Sequence, residues 1–434
     1  MTPEMIGGVG LLVFFALLIV GAPIGVAMGV VGIGGLAVLL SPEAALIKSA
    51  VISFETLFKY ELGVLPLFLL MAHLCFSAGA SQDFFRVAAK FLGHKPGGLA
   101  LASIGACAGF GAISGSSLAT AATVGMVALP EMRQRNYSPA LATGALAAGG
   151  TLGVLIPPSG ALIVYGVIAE QSIGRLFTAA IVPGLTQALF YMAAIWVICK
   201  FRPAMGPPTE RAPWRERFAS LGSVIDLALL ILFVVGGLIV GWFTPTEAAS
   251  VGAVGALILT AVRRKLTLAS LSKALQETLK TTGMIYVVLI GALIFSTFIG
   301  ATGLTEQVAN TVTEIGGGRV IGLVLMALVL LVLGSFVDGV GLMLLTTPIF
   351  LPIAVKLGVS PIWFGIFLVR TMEIGFVHPP VGMNVYVIHG LAKDIPIGTI
   401  FRGIIPFLMT DFLHLALIIL VPALTLGLPA LLGT

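Results

Sequence analysis

Residues 153–160 read GVLIPPSG, and 222 residues further on, residues 375–382 read GFVHPPVG. Each glycine and double proline interrupts a run of apolar sequence long enough to cross a membrane. Proline has no N–H to offer the carbonyl four residues before it. A helix running through Pro157 or Pro379 therefore strands the carbonyl of Gly153 or Gly375. Stranded backbone cannot face lipid, where each unpaired group costs several kcal/mol; it persists where it lines a cavity or binds an ion. Other special residues recur at the same spacing. Pro23 meets Pro245, Leu129-Pro130 meets Leu351-Pro352, and Ser138-Pro139 meets Ser360-Pro361. Apolar coincidences are cheap in a chain that is 58% hydrophobic, but matched prolines and glycines are not. The chain is built from two similar halves.

Composition fixes the solvent. Only 9% of the 434 residues are charged and the mean hydropathy is +1.13. Soluble domains carry about a quarter charged residues, so this chain cannot coat a water-facing surface. The 54 glycines suit helices that approach closely within a bilayer. A net charge of +5 reads as membrane topology, not as a nucleic-acid surface. Cys75, Cys107 and Cys199 lie in apolar segments without disulfide or metal spacing. The N-terminal MTPEM lacks a basic region and a cleavage site, so no removed signal peptide is expected.

The first half parses into helices at about 5–21, 24–40, 63–79 and 178–199, a hairpin at 98–130 and a broken helix at 139–170. The stretch 43–62 is too polar to span and is expected to lie in the interface, as is its counterpart 265–284. The hairpin has apolar legs of 16 and 14 residues around Ser114–Ser116. At 1.5 Å per residue each covers only about 21–24 Å, short of the ~30 Å core, which suits a re-entrant loop. The second half repeats the hairpin at 320–352 around SFVD (335–338) and the broken helix at about 360–392. Five crossings plus a hairpin make each half odd, so the second half is inverted. Lys and Arg fall seventeen to one side and five to the other on this parse. The first side is therefore cytoplasmic, with both termini outside. The expected fold is an all-α polytopic membrane protein of two inverted repeats, residues 1–217 and 218–434. It has about ten transmembrane helices, two re-entrant hairpins and a cytoplasmic linker at 200–217.

Inverted repeats with broken helices are the architecture of secondary transporters, whose sites lie where the helices break. The first tip offers Ser114, Ser116 and Ser117, followed by Thr120 and Thr123, and should face the Gly153 break. The second offers Gly334, Ser335 and Asp338, and should face the Gly375 break. Exposed carbonyls take Na⁺ and helix N-termini take anions. The plainer reading of one such break is a kink, with its hydroxyls bonded back to their own helix. Two breaks in register, each matched to a polar tip, favour a site. Arg370 and Glu373 share a helix face and can pair. Either they form a packing ion pair, or the planar fork of Arg370 meets a substrate carboxylate. Asp338 is a candidate cation ligand or cap, and His378 a candidate titrating group. Asp226 is expected to reach the interface, and Glu247 to begin a helix. Ser117, Arg370, Glu373 and Asn384 form the candidate substrate set. No GxxxxGK[ST], HExxH or Cys/His cluster occurs, which excludes P-loop ATP hydrolysis and resident metal chemistry. An intramembrane serine protease would need Ser114 and His378 to meet.

GFGAISGSSLATAATVGMVALPEM (109–132), GGTLGVLIPPSG (149–160), TPTEAASVGA (244–253) and MEIGFVHPPVGMN (372–384) resemble the large membrane subunit of TRAP transporters, the DctM-like proteins. The resemblance runs over essentially the whole chain. It implies an elevator-type, sodium-driven importer of organic acids in the bacterial inner membrane, with no organic cofactor. It also implies two partners, a small four-helix membrane subunit and a periplasmic binding protein. By motif position its sodium sites correspond to Ser114, Gly153, Ile156 and Pro158, and to Gly334, Gly375, His378 and Val381. His378 stands where the family usually has threonine, and Arg370 replaces a more usual polar residue. The alternatives are a self-sufficient elevator symporter or exchanger for carboxylate anions, and a passive channel.

Overall fold

A computed structural model describes residues 2–433 except 315–317, 336 and 338. The described residues form helices joined by short turns, with no strand among them. Among the described residues six helices are long and apolar enough to cross a membrane, or up to eight if each bent pair counts as one span. Pro3–Ile19 and Ile24–Leu39 are apolar but shorter, at 17 and 16 residues.

The elements recur at the spacing of the prolines. Ile24–Leu39 has its counterpart in Pro245–Val262, Gly98–Ser114 in Gly318–Gly334, and Ser117–Gln134 in Gly339–Lys356. Pro139–Gly150 and Gly160–Ile168 recur as Pro361–Gly375 and Met383–Leu391, and Ile173–Phe201 as Ile397–Leu420. Under a shift of 222, these boundaries agree within three residues.

One region departs from that order. The first half has an amphipathic helix Pro42–Phe58, a 3₁₀ turn Tyr60–Gly63 and a helix Val64–Ser77. The second half fuses the equivalent pieces into one 35-residue helix, Leu268–Thr302, about 52 Å long at 1.5 Å per residue. The separate interfacial helix expected at 265–284 is thus the N-terminal part of a continuous rod. Proline explains the difference. Pro66 sits in the first turn of Val64–Ser77, where a proline is tolerated, and marks a helix start. Its counterpart is Val288, which continues the helix.

The helices pack in two groups. Ile24–Leu39 lies along Leu268–Thr302, and Val64–Ser77 along Pro245–Val262, so the two halves embrace through equivalent elements. The hairpin legs pack on the broken helices, and Ile397–Leu420 crosses onto Pro139–Gly150 of the other half.

Ion pairs tie separate elements together. Lys90 meets Glu216 at 2.8 Å, Arg133 meets Asp394 at 2.8 Å, and Lys356 meets Glu306 at 4.0 Å. Arg263 grips Asp83 at 2.7 Å and Asp226 at 2.5 Å, and its hydrogen bonds to Asp226 hold its guanidinium above the ordinary arginine pKa. Asp226 is therefore an ion-pair partner. Glu247 begins its helix as expected, closing a capping box with Thr244. The linker is docked: Gly206 and Met205 accept from the backbone N–H groups of Gly97 and Ser138, Thr209 donates to Gly93, and Trp214–Leu221 is helical.

Candidate functional site

The first tip is a tight reversal. Gly115, at φ +58°, ends Gly98–Ser114, and Ser116 caps Ser117–Gln134 by accepting from the Ala119 N–H at 3.4 Å. The Ser114 and Thr120 hydroxyls lie 2.6 Å apart across the turn. Opposite, the helix Leu152–Leu155 stops, Pro157-Pro158 follows as a cis peptide, and Ser159 caps Gly160–Ile168. The chain turns by 42° there.

Tip and break touch through backbone. A Cβ on Gly153 would stand 2.6 Å from the Ser116 carbonyl oxygen and run into the Thr120 hydroxyl. One on Gly115 would stand 3.1 Å from the Pro158 carbonyl oxygen. Ser114, Ser116, Gly153 and Pro158 are thus brought together, as the repeat pattern requires. Ile156 turns elsewhere, packing its side chain against Gly184 of Ile173–Phe201. In the second half the same contact recurs, since a Cβ on Gly375 would stand 2.8 Å from the Gly334 carbonyl carbon. The second break, also a cis Pro379-Pro380, is bridged by the Asn384 N–H donating to the Phe376 carbonyl at 3.0 Å. Val381 is half-buried beside it. Asp338 lies outside the described residues. His378 is half-buried with its ring against Phe412, while Ser114 bonds Thr120, so no Ser–His pair forms.

The first tip and the start of the second hairpin's returning leg, Gly339 and Val340, line one cavity of about 400 Å³. One wall is Leu65, Phe68 and Leu69, with Thr281, Met284 and Ile285 of the long rod. The other is Ser114–Leu118, Pro158 and Gly160 of the first half, with Gly339, Met372 and Phe376 of the second. Ser117, Gly160 and Gly339 are the first residues of three helices, so three positive helix ends meet this space. None of its described lining residues is charged.

The other candidate substrate residues lie behind that lining. The Arg370 guanidinium pairs with Asp411 at 2.5 Å, and not with Glu373, in a fully buried position. The pairing read from helix spacing is corrected: three residues along a helix allow Glu373 a contact, but Asp411, on Ile397–Leu420, takes it. The same Asp411 oxygen accepts from the Tyr191 hydroxyl at 2.6 Å and the Gln187 amide at 2.8 Å. Tyr191 in turn lies 2.9 Å from the hydroxyl of Thr151, beside the first break. Asn384 donates to the Ser117 hydroxyl oxygen at 2.8 Å and to the Ala147 carbonyl at 3.1 Å. Glu373 is fully buried, and neither oxygen is within hydrogen-bonding geometry of a partner, although the Ser117 side chain lies beside it. Sequence reasoning missed Asp411 and His414. Both were visible as ionisable residues inside the apolar run 397–420, the signal that singled out Arg370.

A multi-helix bundle with paired helix breaks around a cavity is the architecture of multi-pass membrane transporters. Residues 11–424 match the family described as "Tripartite ATP-independent periplasmic transporter, DctM component", and the chain belongs to that family. It is 37% identical to the C4-dicarboxylate TRAP transporter large permease protein DctM of Pseudomonas aeruginosa, over 92% of this chain and 93% of that one. It is also 37% identical to the sialic acid TRAP transporter large permease protein SiaM of Vibrio cholerae, over 86% and 87%. With the isethionate TRAP transporter permease protein DctMQ of Oleidesulfovibrio alaskensis it shares 34% identity, over 88% of this chain and 60% of that longer one. The fold is similar to that of the Alcanivorax borkumensis YdaH transporter, with a TM-score of 0.53 and 17% identity over 84% of this chain and 88% of that one.

Proposed function

We propose that this chain is the large permease of a sodium-coupled importer in the bacterial inner membrane, carrying an organic acid anion handed over by a periplasmic binding protein. The cavity carries this reading. A volume of about 400 Å³ suits a small ligand. Three helix N-termini with the tip hydroxyls offer an anion partial positive charge and N–H donors without a buried cation. The relatives' names specify C4-dicarboxylates, sialic acid and isethionate, all anions. Arg370, already paired to Asp411, holds the frame behind the site, and Ser117 is the candidate residue that faces substrate.

Sodium is assigned to the two tip-and-break contacts. Ser114, Ser116, Gly153, Ile156 and Pro158 serve one, and Gly334, Asp338, Gly375, His378 and Val381 the other, mainly through carbonyl oxygens. The halves 1–217 and 218–434 are inverted, with re-entrant hairpins. The tips, breaks and last helices move as a block against a scaffold built on Val64–Ser77 and Leu268–Thr302, carrying the cavity across the membrane. A small membrane subunit widens that scaffold. Co-reconstitution with a small membrane subunit and a periplasmic binding protein, with candidate acids and an imposed sodium gradient, tests the whole reading. Uptake should need the gradient and the binding protein. Uptake without the binding protein would make the chain a self-sufficient symporter.

A further inference from the structure

Around the helix breaks the described buried core holds one cation, Arg370, and two carboxylates; the other buried arginine, Arg217, belongs to the linker helix Trp214–Leu221. Arg370, Glu373 and Asp411 are all at most 1% exposed. Arg370 and Asp411 neutralise each other across 2.5 Å. When ionised, Glu373 then leaves one negative charge without a counter-charge, and an uncompensated carboxylate out of water is costly, so its charged form calls for a bound cation.

The surplus is in acceptors as well as in charge. Both Glu373 oxygens and Oδ1 of Asn384 lack hydrogen-bond partners, and all three atoms are buried. Asn384 has committed its Nδ2 to the Ser117 hydroxyl and the Ala147 carbonyl, so only its oxygen remains available. Ser117 joins the group: its oxygen accepts from Asn384 and its side chain lies beside Glu373. Three hard oxygen acceptors around a hydroxyl, carrying one net negative charge, suit a small monovalent cation; a divalent ion would overbalance them.

We propose that Glu373, Asn384 and Ser117 form a further sodium site, separate from the two contacts between tips and breaks. It rests on the sodium coupling proposed above. Its ligands come from both halves: Ser117 opens the second leg of the first hairpin, Glu373 lies in the last turn of the helix before the second break, and Asn384 in the first turn of the helix after it. Ser117 also lines the cavity, so an ion held here sits one hydroxyl away from the substrate and orders the wall against which it binds.

The purified permease with its partner subunits tests this without transport. Radiolabelled sodium is counted at saturation, and melting is followed in sodium and in choline. Glu373→Gln keeps the shape and removes the charge. It should bind one sodium fewer, and in choline it should melt at or above the wild type, because the unbalanced charge is gone. Asn384→Ala keeps the charge and removes one ligand, so it should raise half-saturating sodium about tenfold, as for loss of about 1.4 kcal/mol. Wild-type sodium binding with an unchanged count in Glu373→Gln would overturn this site and leave the coupling intact. So would a Glu373→Gln protein that loses only proton uptake on substrate addition. A wild type that binds no sodium would sink the coupling itself.

Discussion

Arg370 and Asp411 meet at 2.5 Å with neither side chain exposed beyond 1%, although they lie on different helices 41 residues apart. Tyr191 and Gln187 of the first half bind the same carboxylate oxygen, so one buried anion ties Ile173–Phe201 to Pro361–Gly375 and Ile397–Leu420. Removing one member of a buried pair strands the other and costs about 3–5 kcal/mol, whereas replacing both by apolar groups is often near neutral. Asp411→Asn should therefore lower the melting temperature strongly. Asp411→Leu combined with Arg370→Met should recover most of the loss. Uptake that returns with stability in the double variant marks a framework pair. A stable double variant without uptake would return Arg370 to the substrate.

The glycine contacts give a sharper test. Gly153→Ala would push a methyl into Ser116 and Thr120, and Gly375→Ala would push one into the Gly334 backbone. Crowding of this kind costs about 1–3 kcal/mol. Each should raise half-saturating sodium by roughly ten- to a hundredfold if the contacts are ion sites. Gly283→Ala is the control, since nothing lies within 4 Å of a Cβ added there and alanine favours the helix. Equal sodium affinity in all three variants would argue for simple kinks.

Much of this was legible in the sequence because proline and glycine act locally. The breaks at Pro157 and Pro379, the hairpin turn at Gly115 and the repeat spacing all depend on residues whose backbone limits hold in any context. The fused rod Leu268–Thr302 was less legible, since its boundary turns on the absence of a proline at Val288. The partner of Arg370 was not legible. Helix periodicity reveals which residues share a face, but not which neighbouring helix offers a carboxylate to that face. The convergence of three helix N-termini on the cavity is a tertiary fact that no local pattern carries.

Sidedness is checked with single cysteines in a background lacking Cys75, Cys107 and Cys199, all of which are buried. Lys59→Cys and Arg215→Cys are both at exposed positions. An impermeant thiol reagent added to whole cells should label Lys59→Cys and spare Arg215→Cys until the membrane is opened. The reverse pattern would invert the topology, and labelling of both would break the assignment of Arg215 to the cytoplasmic linker.

The coupling stoichiometry follows from charge. On the proposed assignment the two break sites carry two sodium ions, and the Glu373 site carries a third, whose charge the carboxylate balances in the loaded carrier but which still adds one charge to each full cycle. With a monoanionic substrate, even the two break ions leave net positive charge moving inward. Each such charge gains about 2.3 kcal/mol per 100 mV of inside-negative potential. Uptake in proteoliposomes with both partner subunits should therefore accelerate at negative clamped potential and show a sodium Hill coefficient above one. Ser114→Ala should weaken one break site, and Gly375→Ala the other, each moving the sodium dependence toward first order. Glu373→Gln should lower the charge moved per substrate by one unit, read from the reversal potential. Uptake indifferent to sodium but driven by an imposed proton gradient would overturn the sodium assignment for all three positions together.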